Sequence, residues 1–208
     1  MSKTTKIKIE FASWLGKAAL EIEASNIKEA VKKAVSDKIN LSGAYLLNAD
    51  LSRAYLLNAD LSGADLLNAD LSRAYLLNAD LSGADLLNAD LSGADLRSAD
   101  LSRADLRSAN LSGVDLSGAT HDGKKLWSVR PVLQLGCCGS VSRTTSVMFY
   151  ADKSDPMVYC GCFSGTIDQF EQKIHETHGG TFHEYEYMAM VEHIRAIRKY
   201  QLEVKDEK

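Results

Sequence analysis

The strongest constraint on this fold is a leucine that recurs at every fifth residue, without a gap, from Leu41 to Leu116. An alanine stands two residues before each leucine from Ala44 to Ala109, so the repeating unit is Ala–(Asp/Tyr/Asn)–Leu followed by two variable residues. A period of five matches neither the period of an α-helix nor the alternation of a flat strand. Residues 39–118 therefore form sixteen tandem pentapeptides that must fold in another way.

The variable positions of the repeat indicate a chain that bends every five residues. They are rich in Asp, Ser, Asn and Gly, which favour turns and disfavour a helix interior. We predict short extended segments that point Ala and Leu inward, with four sides closing one coil of twenty residues. Successive coils would pair about 4.8 Å apart, and sixteen pentapeptides would give four coils.

This repeat resembles the pentapeptide-repeat family, whose pattern is Ala–(Asp/Asn)–Leu–x–x, over residues 39–118. The resemblance implies a mainly β fold, a right-handed quadrilateral β-helix whose central leucine and small residue fill the interior. Three C-terminal segments, VRPVLQLG, YCGCFSGTIDQFEQKIHETHGG and EYMAMVEHIR, are also similar to the tail domain attached to some phage and prophage pentapeptide-repeat proteins.

Residues 1–38 are predicted to cap the first coil, because a solenoid exposes its core at an open end. Residues 5–11 and 18–24 alternate polar and apolar side chains, which predicts a β-hairpin. Asn26 then begins an Asn-x-x-Glu pattern similar to a capping box. A helix over residues 27–37 with one apolar side is expected to follow and to lead directly into the repeats.

Residues 119–208 are predicted to form a small α+β domain. The patterns indicate strands at residues 129–135, 143–151 and 157–162, and helices at residues 167–177 and about 183–200. Leu126 remains in phase with the repeat, whereas His121 does not fit the central apolar position. We therefore expect His121, like His183 and His193, to face solvent.

The outward positions predict four faces of different chemistry when residues twenty apart are stacked. Two faces carry serine after the central leucine, together with columns of aspartate that are expected to accept hydrogen bonds from backbone amides at the bends. The other two are apolar. One combines Tyr45, Leu47, Leu67 and Leu87 and ends at Arg107, and the other combines Tyr55, Leu57, Tyr75 and Leu77 and is followed by Arg97.

A contiguous apolar patch on a soluble surface usually marks a contact. Three occupants are open: the terminal segments of the chain itself, a second copy, or another protein. We predict that these eight Tyr and Leu side chains form a protein-interaction site and that the protein is a homo-oligomer, most simply a dimer.

Charge and hydropathy limit the other partners. The repeats carry five arginines and eleven aspartates, and an acidic rod opposes binding to a nucleic-acid backbone. The sequence shows no long apolar run and no signal peptide, so we expect no membrane partner and a cytoplasmic location.

The six Cys and His residues that raise a metal hypothesis are Cys137, Cys138, Cys160, Cys162, His175 and His178. Their Cys-Cys and Cys-x-Cys spacings differ from the paired C-x2-C of structural zinc sites, so we expect thiols without metal or cofactor. No P-loop, GxSxG, HExxH or GxGxxG motif occurs, and we predict no catalytic residues.

Two function classes follow. The first is a non-enzymatic scaffold that uses its Tyr and Leu faces for self-association or partner docking. The alternative comes from the family resemblance: some pentapeptide-repeat proteins mimic duplex DNA and modulate bacterial gyrase, a type II topoisomerase, and the acidic repeats fit the sign of that charge.

Overall fold

The centre of the molecule is a stack of coils in which residues twenty apart pair in parallel. The structure is a computed structural model that describes residues 4–12, 15–126, 132–135, 145–160 and 163–203. Parallel bridges begin with Tyr45 and Asp65 and continue to Asp100 and Thr120. Each coil therefore contains twenty residues, as the period of the sequence predicts.

A turn closes every pentapeptide. The Ala44 amide donates to the Leu41 carbonyl at 3.0 Å, and the equivalent bond recurs at each repeat to the end of the array. The residue before the alanine has a positive φ, for example 68° at Gly43 and 56° at Asn48. Glycine and asparagine tolerate this left-handed conformation best, which explains why they recur there.

The interior consists of the central leucines and the alanines. Every central leucine is at most 2% exposed and every repeat alanine at most 6%. Burying a leucine side chain fully contributes about 1.5–3 kcal/mol, so a leucine at each step stabilises every coil to a similar extent. The predicted inward positions are confirmed.

The N-terminal segment forms the predicted hairpin and helix. Strands β1 (Thr5–Ile9) and β2 (Leu20–Ala24) pair antiparallel, and helix α1 spans Ile27–Ser36. The Asn26 side chain accepts a hydrogen bond from the Glu29 amide at 2.9 Å, which caps the helix.

This N-terminal segment covers the first coil. Ala30, Val31 and Ala34 of α1 are buried in the same apolar cluster as the repeat leucines. The Tyr45 amide donates to the Glu10 carbonyl, so the chain before the hairpin turn also pairs with the first coil. The open end is closed by apolar packing and backbone hydrogen bonds together.

The C-terminal part begins with a short antiparallel pair, β3 (Thr120–His121) and β4 (Lys124–Lys125). A four-stranded antiparallel sheet follows in the order β5–β6–β7–β8, then two helices. Their bounds are β5 Val132–Leu135, β6 Thr145–Met148, β7 Met157–Cys160, β8 Phe163–Thr166, α2 Ile167–His178 and α3 Phe182–Glu203. The sequence patterns predict only three of these strands. Strand β8 was not predicted, because the sequence FSGT has only one large apolar residue and no alternation.

The sheet lies between the solenoid and the two helices. Alternate residues of β6 and its extension face opposite sides, so Met148 and Tyr150 join the solenoid core while Val147 and Phe149 pack with the helices. The C-terminal domain therefore closes the second end of the solenoid. None of the helices in the described part of the chain is long and apolar enough to cross a membrane.

The solenoid also runs past the predicted boundary at residue 118. Thr120 still pairs with Asp100, and His121 takes the central position five residues after Leu116 with only 1% exposure. The expectation that His121 faces solvent was wrong. Leu126, in phase as predicted, is 3% exposed.

Candidate functional site

The four residues Tyr55, Leu57, Tyr75 and Leu77 form one surface, here called the Tyr55 face. The Tyr55 and Tyr75 rings stack with centroids 4.7 Å apart and planes 7° from parallel. The ladder fixes this separation, because the Tyr75 amide donates to the Ala54 carbonyl at 2.9 Å. Tyr55 is 58% exposed, Tyr75 42% and Leu57 41%, while Leu77 is half-buried.

Tyr45, Leu47, Leu67 and Leu87 form the second apolar surface, the Tyr45 face. Tyr45 and Leu47 are each 48% exposed, whereas Leu67 and Leu87 are both half-buried. The Asn48 amide donates to the Leu67 carbonyl, which places successive leucines one above the other. The structure thus brings together all eight predicted residues in two groups of four, and the Tyr55 face is the more aromatic of the two.

An open groove of about 610 Å³ lies between the N-terminal segment and the Tyr55 face. Val35, Lys32 and Lys33 of α1 line one side, and Tyr55 and Leu57 line the other. The N-terminal segment therefore flanks the Tyr55 face without covering it.

The apolar columns end in ion pairs. Arg97, one coil below Leu77, holds Asp95 through two hydrogen bonds of 2.8 and 2.7 Å. The guanidinium hydrogen bond lowers the pKa of Asp95 and, on the other apolar face, that from Arg107 lowers the pKa of Asp105. Both carboxylates stay charged at neutral pH. Each apolar patch is therefore bounded by charged groups on the side nearer the C-terminal end of the solenoid.

The aspartates of the two serine faces stabilise the turns, as predicted. The Asp60 carboxylate accepts from the Ser62 amide at 3.1 Å, and Asp80 accepts from the Ser82 amide at 2.8 Å. This local hydrogen bond two residues ahead is typical of aspartate at turns. Many of the aspartate carboxylates of the rod therefore accept hydrogen bonds from its own backbone amides.

Asp50 links such a turn to the N-terminal helix. Its carboxylate accepts from the Ser52 hydroxyl and amide, and the Lys28 ammonium lies 2.9 Å away. The Ser52 hydroxyl, followed by Lys28, lowers the pKa of Asp50 to about 2.

A buried polar group that was not predicted from the sequence lies where the solenoid meets the C-terminal sheet. The two imidazole nitrogens of His121 are each 2.7 Å from a tyrosine hydroxyl, Nδ1 from Tyr150 and Nε2 from Tyr159. Burial lowers the pKa of His121 and raises the pKa of both tyrosines, so all three are neutral at pH 7. The 3.6 Å approach of Asp122 is therefore not an ion pair at that pH. The signal available in the sequence was the phase of His121, five residues after Leu116.

The candidate metal and thiol residues do not converge in the part of the chain that the structure describes. Cys160 is half-buried and accepts a hydrogen bond from the Thr145 hydroxyl, whereas Cys137, Cys138 and Cys162 lie outside the described residues. His175 contacts Glu184, and the His178 ring stacks on Tyr187. No group of three potential metal ligands occurs among the described residues.

The twenty-residue coils, the repeated turn and the leucine core define a solenoid repeat protein. The family model of pentapeptide repeats matches eight copies, over residues 38–72 and 84–120. A pentapeptide repeat protein of known structure from Nostoc PCC 7120 is 40% identical, over 46% of this chain and 79% of its own, with a TM-score of 0.44. The chain belongs to the pentapeptide-repeat family, whose fold is a right-handed β-helix.

Two further solved structures match over shorter spans. A pentapeptide repeat protein from the Arabidopsis thaliana thylakoid lumen is 38% identical, covering 39% of this chain and 50% of that one, with a TM-score of 0.28. HetL, a Nostoc pentapeptide repeat protein involved in heterocyst differentiation regulation, is 40% identical, covering 38% and 48%, with a TM-score of 0.23. A search of curated proteins found no match.

These matches concern the repeats. The family model ends at residue 120, so the similarity of the C-terminal segment to phage and prophage tail domains stays a prediction. The matches assign no compartment to this chain, so the cytoplasmic location also stays a prediction.

Proposed function

We propose that this protein is a non-enzymatic scaffold, a four-sided right-handed solenoid that self-associates through its Tyr55 face. The stacked, exposed Tyr55 and Tyr75 rings are the observation that carries the proposal. Tyrosine is enriched at protein interfaces, and side chains fixed by a rigid ladder lose little freedom on binding. Neighbouring Leu57 and Leu77 extend the pair into a patch.

The Tyr55 face suits a contact better than the Tyr45 face for two reasons. It presents two stacked aromatic rings rather than one, and large aromatic residues contribute most often to interface hot spots. It also borders the groove beside α1, which provides a concave surface next to the exposed rings. The Tyr45 face presents one aromatic ring, that of Tyr45, followed by a column of leucines.

Sedimentation velocity over a range of protein concentrations tests the proposal. The wild type is expected to dimerise. The double variant Tyr55→Ser/Tyr75→Ser should raise the dissociation constant of the dimer at least thirtyfold, which is equivalent to the loss of about 2 kcal/mol at one hot spot. Tyr45→Ser/Leu47→Ser is the matched control, because it removes similar exposed apolar area from the other face and should leave the dimer intact. A wild type that remains monomeric at all concentrations contradicts the proposal.

DNA mimicry is the weaker alternative. A duplex mimic needs continuous negative faces, but the aspartates here bond to turn amides, and Arg97 and Arg107 interrupt the lower coils. A supercoiling assay is expected to show no effect on gyrase at high protein concentration. Inhibition or protection of gyrase would favour mimicry instead.

A further inference from the structure

We infer that the groove beside α1 is a binding site for a free amino acid with an aromatic side chain. The site goes beyond the proposed self-association, and it is formed within a single copy of the chain. The ring of the ligand would stack on Tyr55, its α-ammonium would bind Glu23, and its α-carboxylate would bind Lys33.

The groove lies where the next ring of the tyrosine stack would stand. Tyr75 covers one side of the Tyr55 ring, with the centroids 4.7 Å apart and the planes 7° from parallel. The residue twenty positions before Tyr55 is Val35 of α1, which lines the groove across from Tyr55. Tyr55 is accordingly more exposed than Tyr75, at 58% against 42%. A planar ring from a ligand can therefore extend the stack on the side of Tyr55 that Tyr75 does not cover.

The charged side chains on the walls of the groove are balanced. Glu23 of β2 lines the groove together with Glu29, Lys32 and Lys33 of α1. The Lys32 ammonium lies 2.9 Å from the Glu29 carboxylate, so these two charges already satisfy each other. One carboxylate, on Glu23, and one ammonium, on Lys33, are left to interact with a ligand.

Neither Glu23 nor Lys33 has a side-chain partner among the residues that the structure describes. Lys6 is the cross-strand neighbour of Glu23, but its ammonium donates to the Glu21 carboxylate at 3.3 Å instead. An unpaired acid and an unpaired base in one groove complement a ligand that carries both charges and is neutral overall. An anion or a cation alone would leave one of the two unmatched.

An aromatic amino acid in its zwitterionic form supplies the ring and both charges. Its α-ammonium can donate to the Glu23 carboxylate, and its α-carboxylate can accept from the Lys33 ammonium. The groove of about 610 Å³ is in the size range of small-molecule sites and accommodates tryptophan, the largest member of the class. Because the groove is open to solvent, we expect a dissociation constant on the order of 1 mM.

Titration of the ¹⁵N-labelled protein with L-tryptophan, followed by backbone amide chemical shifts, measures this affinity. Tryptamine lacks the carboxylate, indole-3-propionate lacks the ammonium and L-leucine lacks the ring, so each should bind at least roughly fivefold more weakly. Equal binding of either indole compound would overturn recognition of the zwitterion, and equal binding of leucine would overturn the stack. Unchanged amide shifts in β2 and α1 at about 10 mM tryptophan, tenfold above the expected constant, would refute the site.

Single variants locate the ligand. Tyr55→Leu, Glu23→Gln and Lys33→Gln should each weaken tryptophan binding at least roughly fivefold, because each removes one of the three contacts. Tyr45→Leu on the other apolar face and Lys173→Gln on α2 are the matched controls, with 48% of the residue and 54% of the side chain exposed, and should leave binding unchanged. Lys33→Gln should not weaken the binding of tryptamine, which has no carboxylate. Tryptophan binding that persists in all three groove variants would place the ligand elsewhere and overturn the assignment.

Discussion

Replacing His121 with leucine should destabilise the protein, although leucine occupies all the preceding central positions of the repeat. His121 occupies the central position after Leu116 and is 1% exposed. Its two ring nitrogens each hydrogen-bond a tyrosine hydroxyl at 2.7 Å, one from Tyr150 and one from Tyr159. Leucine would fill the volume but remove both bonds.

The cost follows from the burial of the two tyrosines, which are 2% and 6% exposed. A buried hydroxyl left without a partner costs about 1–3 kcal/mol, so the pair costs about 2–6 kcal/mol. The additional apolar burial of leucine offsets about 1–2 kcal/mol of this. We expect His121→Leu to lower the free energy of unfolding by about 1–4 kcal/mol.

Urea denaturation followed by the helical circular dichroism signal measures this loss, because α2 and α3 belong to the domain that His121 anchors. The triple variant His121→Leu/Tyr150→Phe/Tyr159→Phe should recover most of the stability, since it removes the polar group completely rather than partly. A single variant as stable as the wild type would refute the reasoning. So would a triple variant less stable than the single one.

Two further predictions concern the same end of the molecule and the turns. Burial lowers the pKa of His121 from 6.5 despite Asp122 and Asp100, so the unfolded chain binds more protons below pH 6.5 and stability should fall there as pH falls. Denaturation between pH 7 and pH 5 should show this slope in the wild type and less of it in the triple variant, and equal slopes would exclude His121 as its source. Arg53 has φ of 57°, so Arg53→Asn should raise stability by up to about 1 kcal/mol in thermal unfolding, and a loss of stability would contradict the strain argument.

The repeat was predictable because it depends on local chemistry alone. Leucine every fifth residue, with turn-forming residues between, fixes the coil without any knowledge of distant contacts, and the structure buries all of those leucines. The N-terminal hairpin and helix were predictable for a similar reason, since alternation and the Asn26 cap are local signals.

The missed features depend on tertiary partners. A histidine at a leucine position indicates a solvent-facing residue until Tyr150 and Tyr159 are known to approach it from 29 and 38 residues away. Strand β8 likewise has little apolar character and is defined by its pairing with β7. The groove beside the Tyr55 face requires the position of α1 on the first coil, which no sequence pattern specifies.

The closure of both ends restricts how this solenoid can associate. The apolar side of α1 covers the first coil. Tyr159 of the C-terminal sheet and Tyr150, just after β6, cover the last, so stacking of coils end to end would require displacement of a packed cap. Within the described part of the repeats, the four sides remain. Two of them use their aspartates and serines to hold the turns, and a hydrated polar surface of that kind gains little from burial. The proposed association through the Tyr55 face, with its exposed stacked rings, would therefore cost less desolvation than association through either of these two polar sides.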